Sequence, residues 1–158
     1  ELALVQGDRL VRYVPSPWPT GPVEFGRAMN PRVFLLKLIP GIDAGIFDYL
    51  KAHYRALVIE SFGVGGLPGG EHGEMFAALR RWCESGRLAV FTTQVPHEGC
   101  DLAVYEVGRA VGELPGVLEA RDMTPEAVAV KLMWALGQTT DRAEAMRLFT
   151  TPVEWDIV

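Results

Sequence analysis

The sequence predicts a three-layer α/β domain, a flavodoxin-like parallel sheet of about four strands with helices on both faces. Three observations carry that expectation. Short, nearly continuous apolar runs recur at residues 33–39, 56–60 and 88–93, as strands buried on both faces require. Between them lie segments whose apolar residues fall at helical spacing. The alternation of the two is the pattern of βαβ units, whose right-handed crossovers build parallel sheets.

Composition bounds the rest. The 158 residues suffice for one α/β domain with a core of its own. With 49% hydrophobic and 22% charged residues the chain is globular rather than disordered. The net charge is −5 and the arginines are scattered, so no basic footprint for nucleic acid exists. Cys83 and Cys100 make neither a disulfide framework nor a metal cluster, and reduced thiols in the cytoplasm are the simplest reading. No apolar run approaches membrane-spanning length. The opening Glu1-Leu2-Ala3-Leu4-Val5 lacks the flank and cleavage site of a signal peptide. It also lacks an initiating methionine, and the chain is read as a piece of something longer.

Taken in order, residues 2–5 and 10–14 suit two strands around the turn Gln6-Gly7-Asp8-Arg9. Residues 15–22 hold four prolines with Trp18 and Gly21, an extended linker rather than a regular element. A proline-rich ligand for an aromatic groove is the alternative. Residues 1–30 are therefore assigned to an arm and interdomain linker, and residues 31–158 to the α/β domain. The run 33–39 is the first central strand, ended by Pro40-Gly41. Asp43 is then placed as cap of a helix bearing Ile46, Phe47 and Leu50 on one face.

The second strand, 56–60, runs into Ser61-Phe62-Gly63-Val64-Gly65-Gly66-Leu67-Pro68. In an open α/β sheet, ligands sit beyond the carboxyl ends of the strands, where glycines let backbone N–H groups approach them closely. A tight strand-to-helix turn with no further role is the plainer reading. A helix follows over 73–84 with Met75, Phe76, Leu79 and Trp82, stopped by Ser85-Gly86. The third strand is 88–93, with a loop over 94–99. Residues 101–114 are read as a helix, 116–119 as a short fourth strand. Thr124-Pro125-Glu126 starts a helix by cap, proline and first-turn acid. Asp141 caps a last helix with Met146, Leu148 and Phe149.

From Pro31 onward the chain resembles the carboxyl-terminal domain of the L-asparaginase family, more closely the cytoplasmic type I bacterial enzymes than the periplasmic type II enzymes. The residues that carry the resemblance come in the family's order. They are Ile39-Pro40-Gly41-Ile42, Ala56-Leu57-Val58-Ile59 with Gly63-Val64-Gly65, and Thr93-Gln94. Tyr105 with Gly108 follows, then Asp122-Met123-Thr124-Pro125-Glu126-Ala127 with Lys131-Leu132. The resemblance implies hydrolysis of asparagine to aspartate and ammonia by the full-length protein, with no cofactor. It places the catalytic threonines in an amino-terminal domain whose motifs are absent here, so this segment is expected to be inactive alone.

The same resemblance implies a homodimer or tetramer in which loops of this domain help close a neighbouring protomer's active site. On that basis Gly65, Gly66 and Glu98 are the candidate substrate-binding residues, for asparagine or glutamine. Relatives often carry asparagine at the position of Gly66. Glu98 or Asp101 could meet a substrate ammonium, with solvated loop carboxylates as the alternative for both. Some type I relatives have a regulatory asparagine site that uses an arginine and a cysteine. Here Glu60 and Val95 hold those positions, which predicts that this site is absent or altered.

Other constellations are weaker. His97, Glu98, Cys100 and Asp101 invite a metal or Cys–His nucleophile reading, although close neighbours on one loop rarely converge. His53 and His72 are isolated, Trp82, Met133 and Trp134 read as core, and Trp155 as packing in the tail or an interface. Two rival functions stand beside the asparaginase reading. One is the related component of archaeal glutamyl-tRNA(Gln) amidotransferase, which shares the fold. The other is a non-enzymatic module that binds a small amino acid or mediates oligomerisation.

Overall fold

The computed structural model describes residues 3–13, 21–22, 25–26, 28–95, 97–153 and 156–157. Most of the proline-rich stretch and Trp155 lie outside them. Strands β1 (Ala3–Gln6) and β2 (Arg9–Arg12) pair antiparallel about Gly7, whose φ of +61° suits a tight hairpin turn. Val5, Leu10, Val11 and Tyr13 of this hairpin are all exposed.

The main sheet has four parallel strands, β3 (Val33–Lys37), β4 (Ala56–Ser61), β5 (Leu88–Thr93) and β6 (Val117–Glu119), in that spatial order. The α/β architecture and four-stranded parallel sheet are as expected. The strand order is not flavodoxin-like. That order reverses direction after its first strands, whereas here each crossover steps to the next strand on the same side. Apolar periodicity reports burial, and it carries no information on which strands are neighbours.

The straight order decides where the helices lie. Right-handed crossovers that all step one way put their helices on one face. These are α1 (Ile46–His53), α2 (Glu74–Glu84) and α3 (Glu106–Gly112). Leu57, Ile59, Ala89 and Phe91 point to that face and pack with Phe47, Leu50, Leu79, Trp82 and Val111. The alternate residues Val33, Ala56, Val58, Leu88 and Val90 point the other way. They are covered by Val128, Leu132, Ala135, Ala145 and Phe149 of α4 (Pro125–Gln138) and α5 (Arg142–Thr150). Trp82 is core as expected, and its Nε1 donates to the Leu88 carbonyl at 2.9 Å. Trp134 and Met133 pack at the margin of the second layer and are only partly buried.

Two helix starts differ from expectation. Asp43 does not cap α1; its Oδ1 accepts from Gly45 N at 2.6 Å, and Gly45 is the cap residue. A short side chain that closes its own turn two residues on is the competing use of aspartate. Helix α3 begins at Glu106, not Asp101. Asp101 Oδ1 accepts from Ala103 N at 2.8 Å and Glu119 Oε1 accepts from Leu102 N at 3.3 Å. Both N–H groups are thereby drawn out of a helical pattern. The other caps form as read: Thr124 Oγ1 accepts from Ala127 N at 3.3 Å and Asp141 Oδ1 from Glu144 N at 2.8 Å.

The second helical layer is fastened at both ends. Asn30 N donates to the Met133 carbonyl at 2.9 Å and Gln138 Nε2 to the Ala28 carbonyl at 2.8 Å, which lays the segment before β3 along α4. Gly137 permits this, because a Cβ there would collide with the Ala28 carbonyl. After α5, Lys131 Nζ lies 2.8 Å from Asp156 Oδ2 and donates to the Thr151 carbonyl at 2.9 Å. Its ammonium also sits 5.8 Å from the Phe149 ring centre. This clamp holds the tail so that Ile157 is buried. Removing one partner of a buried ion pair costs about 3–5 kcal/mol, less where the other can rehydrate, as the 28% exposed Asp156 carboxylate can. Lys131→Ala should therefore lower the unfolding free energy in urea by roughly 2–3 kcal/mol.

Candidate functional site at the carboxyl ends of the strands

Four parallel strands bring their carboxyl ends to one end of the sheet, and the loops that leave them form two surfaces. The first is a crevice of about 660 Å³ on the α4 side. Its floor is set by register. Lys37, Glu60 and Thr92 are successive partners across β3, β4 and β5, and registered residues of parallel strands point to the same face. Lys37 Nζ stands 3.5 Å from Glu60 Oε2, with side-chain exposures of 60% and 14%. The loop after β5 (Gln94, Val95, His97, Glu98) and the segment leading into α4 (Asp122 to Pro125) wall it.

The loop after β5 is held by its own first residues. Gln94 Nε2 donates to the carbonyls of Leu38 at 2.7 Å and Glu60 at 2.9 Å, which stitches it across the ends of β3 and β4. Thr93 Oγ1 donates to the Gly63 carbonyl and accepts from Val95 N at 2.9 Å, so one hydroxyl ties two loops together.

The second surface is the glycine-rich loop after β4, which lies on the α1–α3 side: Leu67, Cys100 and Leu102 beside it belong to that core. Phe62 and Gly66 close it by a pair of backbone bonds, Gly66 N to Phe62 O at 2.7 Å and Phe62 N to Gly66 O at 3.1 Å. Gly65 is buried with φ +154°, and a Cβ on it would lie 2.8 Å from Leu102 Cδ2. Asp101 N donates to the Val64 carbonyl at 2.9 Å and Cys100 N to the Arg121 carbonyl at 2.8 Å. The loops after β4, β5 and β6 are thus laced into one rim.

The expected site residues separate between the two surfaces. Gly65 and Gly66 lie in the glycine loop, whereas Glu98 is exposed on the wall of the crevice, whose lining includes neither glycine. Glu60 and Val95 both line the crevice. Glu60 is an ion-paired strand-end acid, its side chain partnered by Lys37. Of the cluster His97, Glu98, Cys100 and Asp101, only His97 and Glu98 face the crevice. Cys100 turns inward with Sγ 3.4 Å from the Val64 carbonyl, and Asp101 closes its own turn. Among the described residues no group of three or more His, Cys, Asp or Glu is arranged to hold a metal ion. Sequence reasoning alone does not single out Lys37 and Thr92. Their one signal is position, as polar residues near the ends of apolar runs and hence at the carboxyl ends of strands.

Neither thiol is prepared as a nucleophile. Burial, with the carboxylates of Glu119 and Asp101 behind it, pushes the Cys100 thiol from 9.0 up to about 12. Burial pushes Cys83 to about 11, against a smaller opposing effect of Arg142. The thiolate is the reactive form, so catalysis at neutral pH does not pass through either.

Comparison with known proteins bears on the whole of this arrangement. Residues 32–149 match the family model of the glutaminase/asparaginase C-terminal domain. The chain belongs to this family. It is 34% identical over 158 residues to an L-asparaginase of Thermococcus kodakarensis, a match that covers 99% of this chain and 47% of the relative. The structure of the thermostable L-asparaginase from that organism superposes with a TM-score of 0.86 at 32% identity, over 99% of this chain and 47% of the other. L-asparaginase I from Vibrio cholerae shares the fold with a TM-score of 0.81 at 23% identity, again over 99% of this chain and 47% of the other. A component of the glutamyl-tRNA(Gln) amidotransferase of Pyrococcus horikoshii is 33% identical over 150 residues, 85% of this chain and 33% of that relative. The chain thus spans about half the length of the asparaginase it matches. Among the described residues no helix is long and apolar enough to cross a membrane.

The thiols supply a test of the packing around the rim. In native protein at pH 8, Ellman's reagent should react with neither of the 2 cysteines on the timescale on which it titrates both in denaturant. Folding favours the protonated thiol. Above the unfolded value near 9.0 the native state keeps a proton that the unfolded chain has released, until pH passes about 12 for Cys100. Stability contributed by this thiol is therefore complete below pH 9 and falls as pH rises through that window. Cys100→Ala should flatten the alkaline limb of a stability–pH curve.

Proposed function

We propose that this domain serves an amidohydrolase of the L-asparaginase type, converting asparagine to aspartate and ammonia, and that it completes an active site rather than containing one. The observation that supports the reading best is the joint match in sequence and fold to the Thermococcus kodakarensis L-asparaginase over 99% of the chain. Amide hydrolysis needs an activated nucleophile, a base in contact with it, and donors for the oxyanion. Both cysteines are buried and protonated, and the hydroxyls of Ser61 and Thr93 are bonded to backbone carbonyls. The nucleophile is accordingly assigned to the part of the relative that lies outside the match, an amino-terminal asparaginase domain.

In this reading the contribution of the domain is the rim. The glycine loop borders the substrate at Gly65 and Gly66 within a homodimer or tetramer, its shape held by the bonds of both glycine N–H groups to the Phe62 carbonyl; Glu98, on the other side of the sheet, is left out of that contact. The exposed apolar residues of the β1–β2 hairpin support a partner for that end of the chain, since a two-stranded hairpin is marginal alone. The two unpaired thiols fit a reducing, cytoplasmic setting. A second reading, an ammonia-supplying component of a glutamyl-tRNA(Gln) amidotransferase, is favoured by the 33% identity to the Pyrococcus horikoshii protein.

The test is ammonia release from asparagine and from glutamine, measured for the full-length protein and for this chain. Release by the longer protein alone is expected; turnover by the chain itself would overturn the assignment of the nucleophile. Retention of labelled tRNA(Gln) by the full-length protein would favour the amidotransferase. In the full-length protein, Gly65→Ala must displace Leu102 or the loop itself. A misplacement of this size costs up to about 10²-fold, so kcat/KM should fall by roughly 10- to 100-fold, and the melting temperature should fall as well, since the Cβ crowds the buried Leu102 from a backbone conformation that favours glycine.

A further inference from the structure

The amino ends of the strands, at the far end of the sheet from the rim, carry a charge pattern of their own. Val33, Ala56 and Leu88 are partners across β3, β4 and β5, and the residue before each is an arginine: Arg32, Arg55 and Arg87. Their backbones are joined, Arg55 N to the Arg32 carbonyl at 2.8 Å and Leu88 N to the Arg55 carbonyl at 3.4 Å. On the fourth strand this place belongs to Gly116, whose carbonyl accepts from Ala89 N at 3.0 Å. The guanidinium of Arg142, from the first turn of α5, lies against that glycine, where a Cβ would collide with its Nη2. One arginine thus stands at the start of each strand, and the strands are about 4.8 Å apart.

Two of the four serve the fold. Arg32 Nε donates to the His53 carbonyl at 2.9 Å, and Arg87 donates to the carbonyls of Tyr54 at 3.2 Å and Lys51 at 2.8 Å, which places cations at the negative end of α1. The other two have no such role. Arg55 is exposed, and its side chain makes no hydrogen bond among the described residues. Arg142 Nε and Nη2 are buried without a hydrogen-bond partner, although buried donors are ordinarily paired. None of the four forms an ion pair among the described residues. Like charges on neighbouring strands repel, so the row holds unbalanced positive charge in a chain whose net charge is −5. Guanidinium groups take oxyanions through paired, charge-assisted bonds. One cation per strand calls for several negative charges in a line, as a polyphosphate carries and a lone carboxylate does not. Its length is bounded by acids, since Glu84 ends α2, Glu113 follows α3 and Asp141 precedes Arg142. That flank repels a long polyanion such as nucleic acid.

We propose that the row Arg32–Arg55–Arg87–Arg142 is a binding site for a short polyphosphate, free or as the tail of a nucleoside polyphosphate. Arg55 supplies the exposed central charge. Arg142 turns away from Gly116 and gives the ligand the two N–H groups that are idle in the free protein. The site stands apart from the amidohydrolase reading, and its test reads binding and not turnover.

A ligand that binds the native state raises the melting temperature as its concentration exceeds Kd. Melting curves of the full-length protein would be recorded at constant ionic strength with tripolyphosphate, ATP, inorganic phosphate or sodium chloride. Tripolyphosphate should raise the melting temperature in a saturable way, and phosphate should do so only at much higher concentration. ATP binding more tightly than tripolyphosphate identifies a nucleotide as the source of the phosphates; equal or weaker binding identifies free polyphosphate. Arg55→Gln, an exposed change that leaves the fold intact, should weaken tripolyphosphate binding about 10-fold or more, the loss of charge-assisted bonds. Lys37→Gln removes the same charge at the opposite end of the sheet and should leave binding unchanged. Arg142→Met should weaken binding while the melting temperature of the free protein holds or rises, because unpaired buried N–H groups give way to an apolar side chain. A guanidinium that served only the fold would do the reverse, lowering the melting temperature and sparing binding. Because the Arg55 variant carries no folding risk, it decides the matter. No saturable effect of tripolyphosphate, equal binding in wild type and Arg55→Gln, or an equal loss in Lys37→Gln would each overturn the proposal.

Discussion

The parallel register of β3 to β6 is the constraint on which the rest of the structure depends. Parallel strands are stable only when both faces are covered, and a strand order that runs straight along the chain lets the three crossover helices cover only one. Every residue of β5 is nevertheless buried. The second face therefore rests on α4 and α5, which follow the last strand of the sheet. This is why so many side-chain contacts are spent on fastening that pair: Lys131 against Asp156 and Thr151, Gln138 against Ala28, and a glycine at 137 where the incoming segment touches the helix. None of these groups lines the crevice, yet the rim has no floor without them.

The same register gathers four carboxyl ends at one end of the sheet, and it fixes which side chains meet there. A strand-end residue has one neighbour on each adjoining strand, so Lys37, Glu60 and Thr92 form a row whatever their local sequence. The loops beyond them are irregular backbone that needs its N–H and C=O groups satisfied. Gln94 does this for the ends of β3 and β4, and the paired bonds of Phe62 and Gly66 do it within the glycine loop. The rim is thus rigid by hydrogen bonding rather than by apolar packing, as a surface that must hold its shape beside a ligand requires.

Much of the fold is legible in the sequence because it depends on short-range pattern. The strand 88–93 is bounded by Gly86 and by a polar pair, and Thr124-Pro125 announces α4 by the chemistry of its first turn. What is not legible depends on partners far along the chain. Asp43 and Asp101 are both good cap residues, and only the surrounding turns make them close a turn of their own instead. The flavodoxin-like order fails because strand neighbours are chosen by crossover direction, which leaves no mark on apolar spacing. The site divides in the same way. The glycine loop can be found from glycines after an apolar run, but the row across three strands exists only once register is known. Glu60 stands out as a charge at a position of interest, and its neighbours Lys37 and Thr92 do not.

The two surfaces of the rim lie on opposite sides of one sheet and still share an atom. Thr93 Oγ1 donates to the Gly63 carbonyl in the glycine loop and accepts from Val95 N in the crevice wall. A hydroxyl that donates once and accepts once is fully oriented; it has one proton, and that proton is committed to Gly63. Movement of either loop away from β5 therefore leaves a largely buried polar group unpaired, at a cost of about 1–3 kcal/mol. Valine has nearly the shape of threonine and would fill the same space at the end of β5 without serving either loop. The residue type at 93 is thus dictated by the two loops it joins, whereas Val90, earlier on the same strand, answers only to the core.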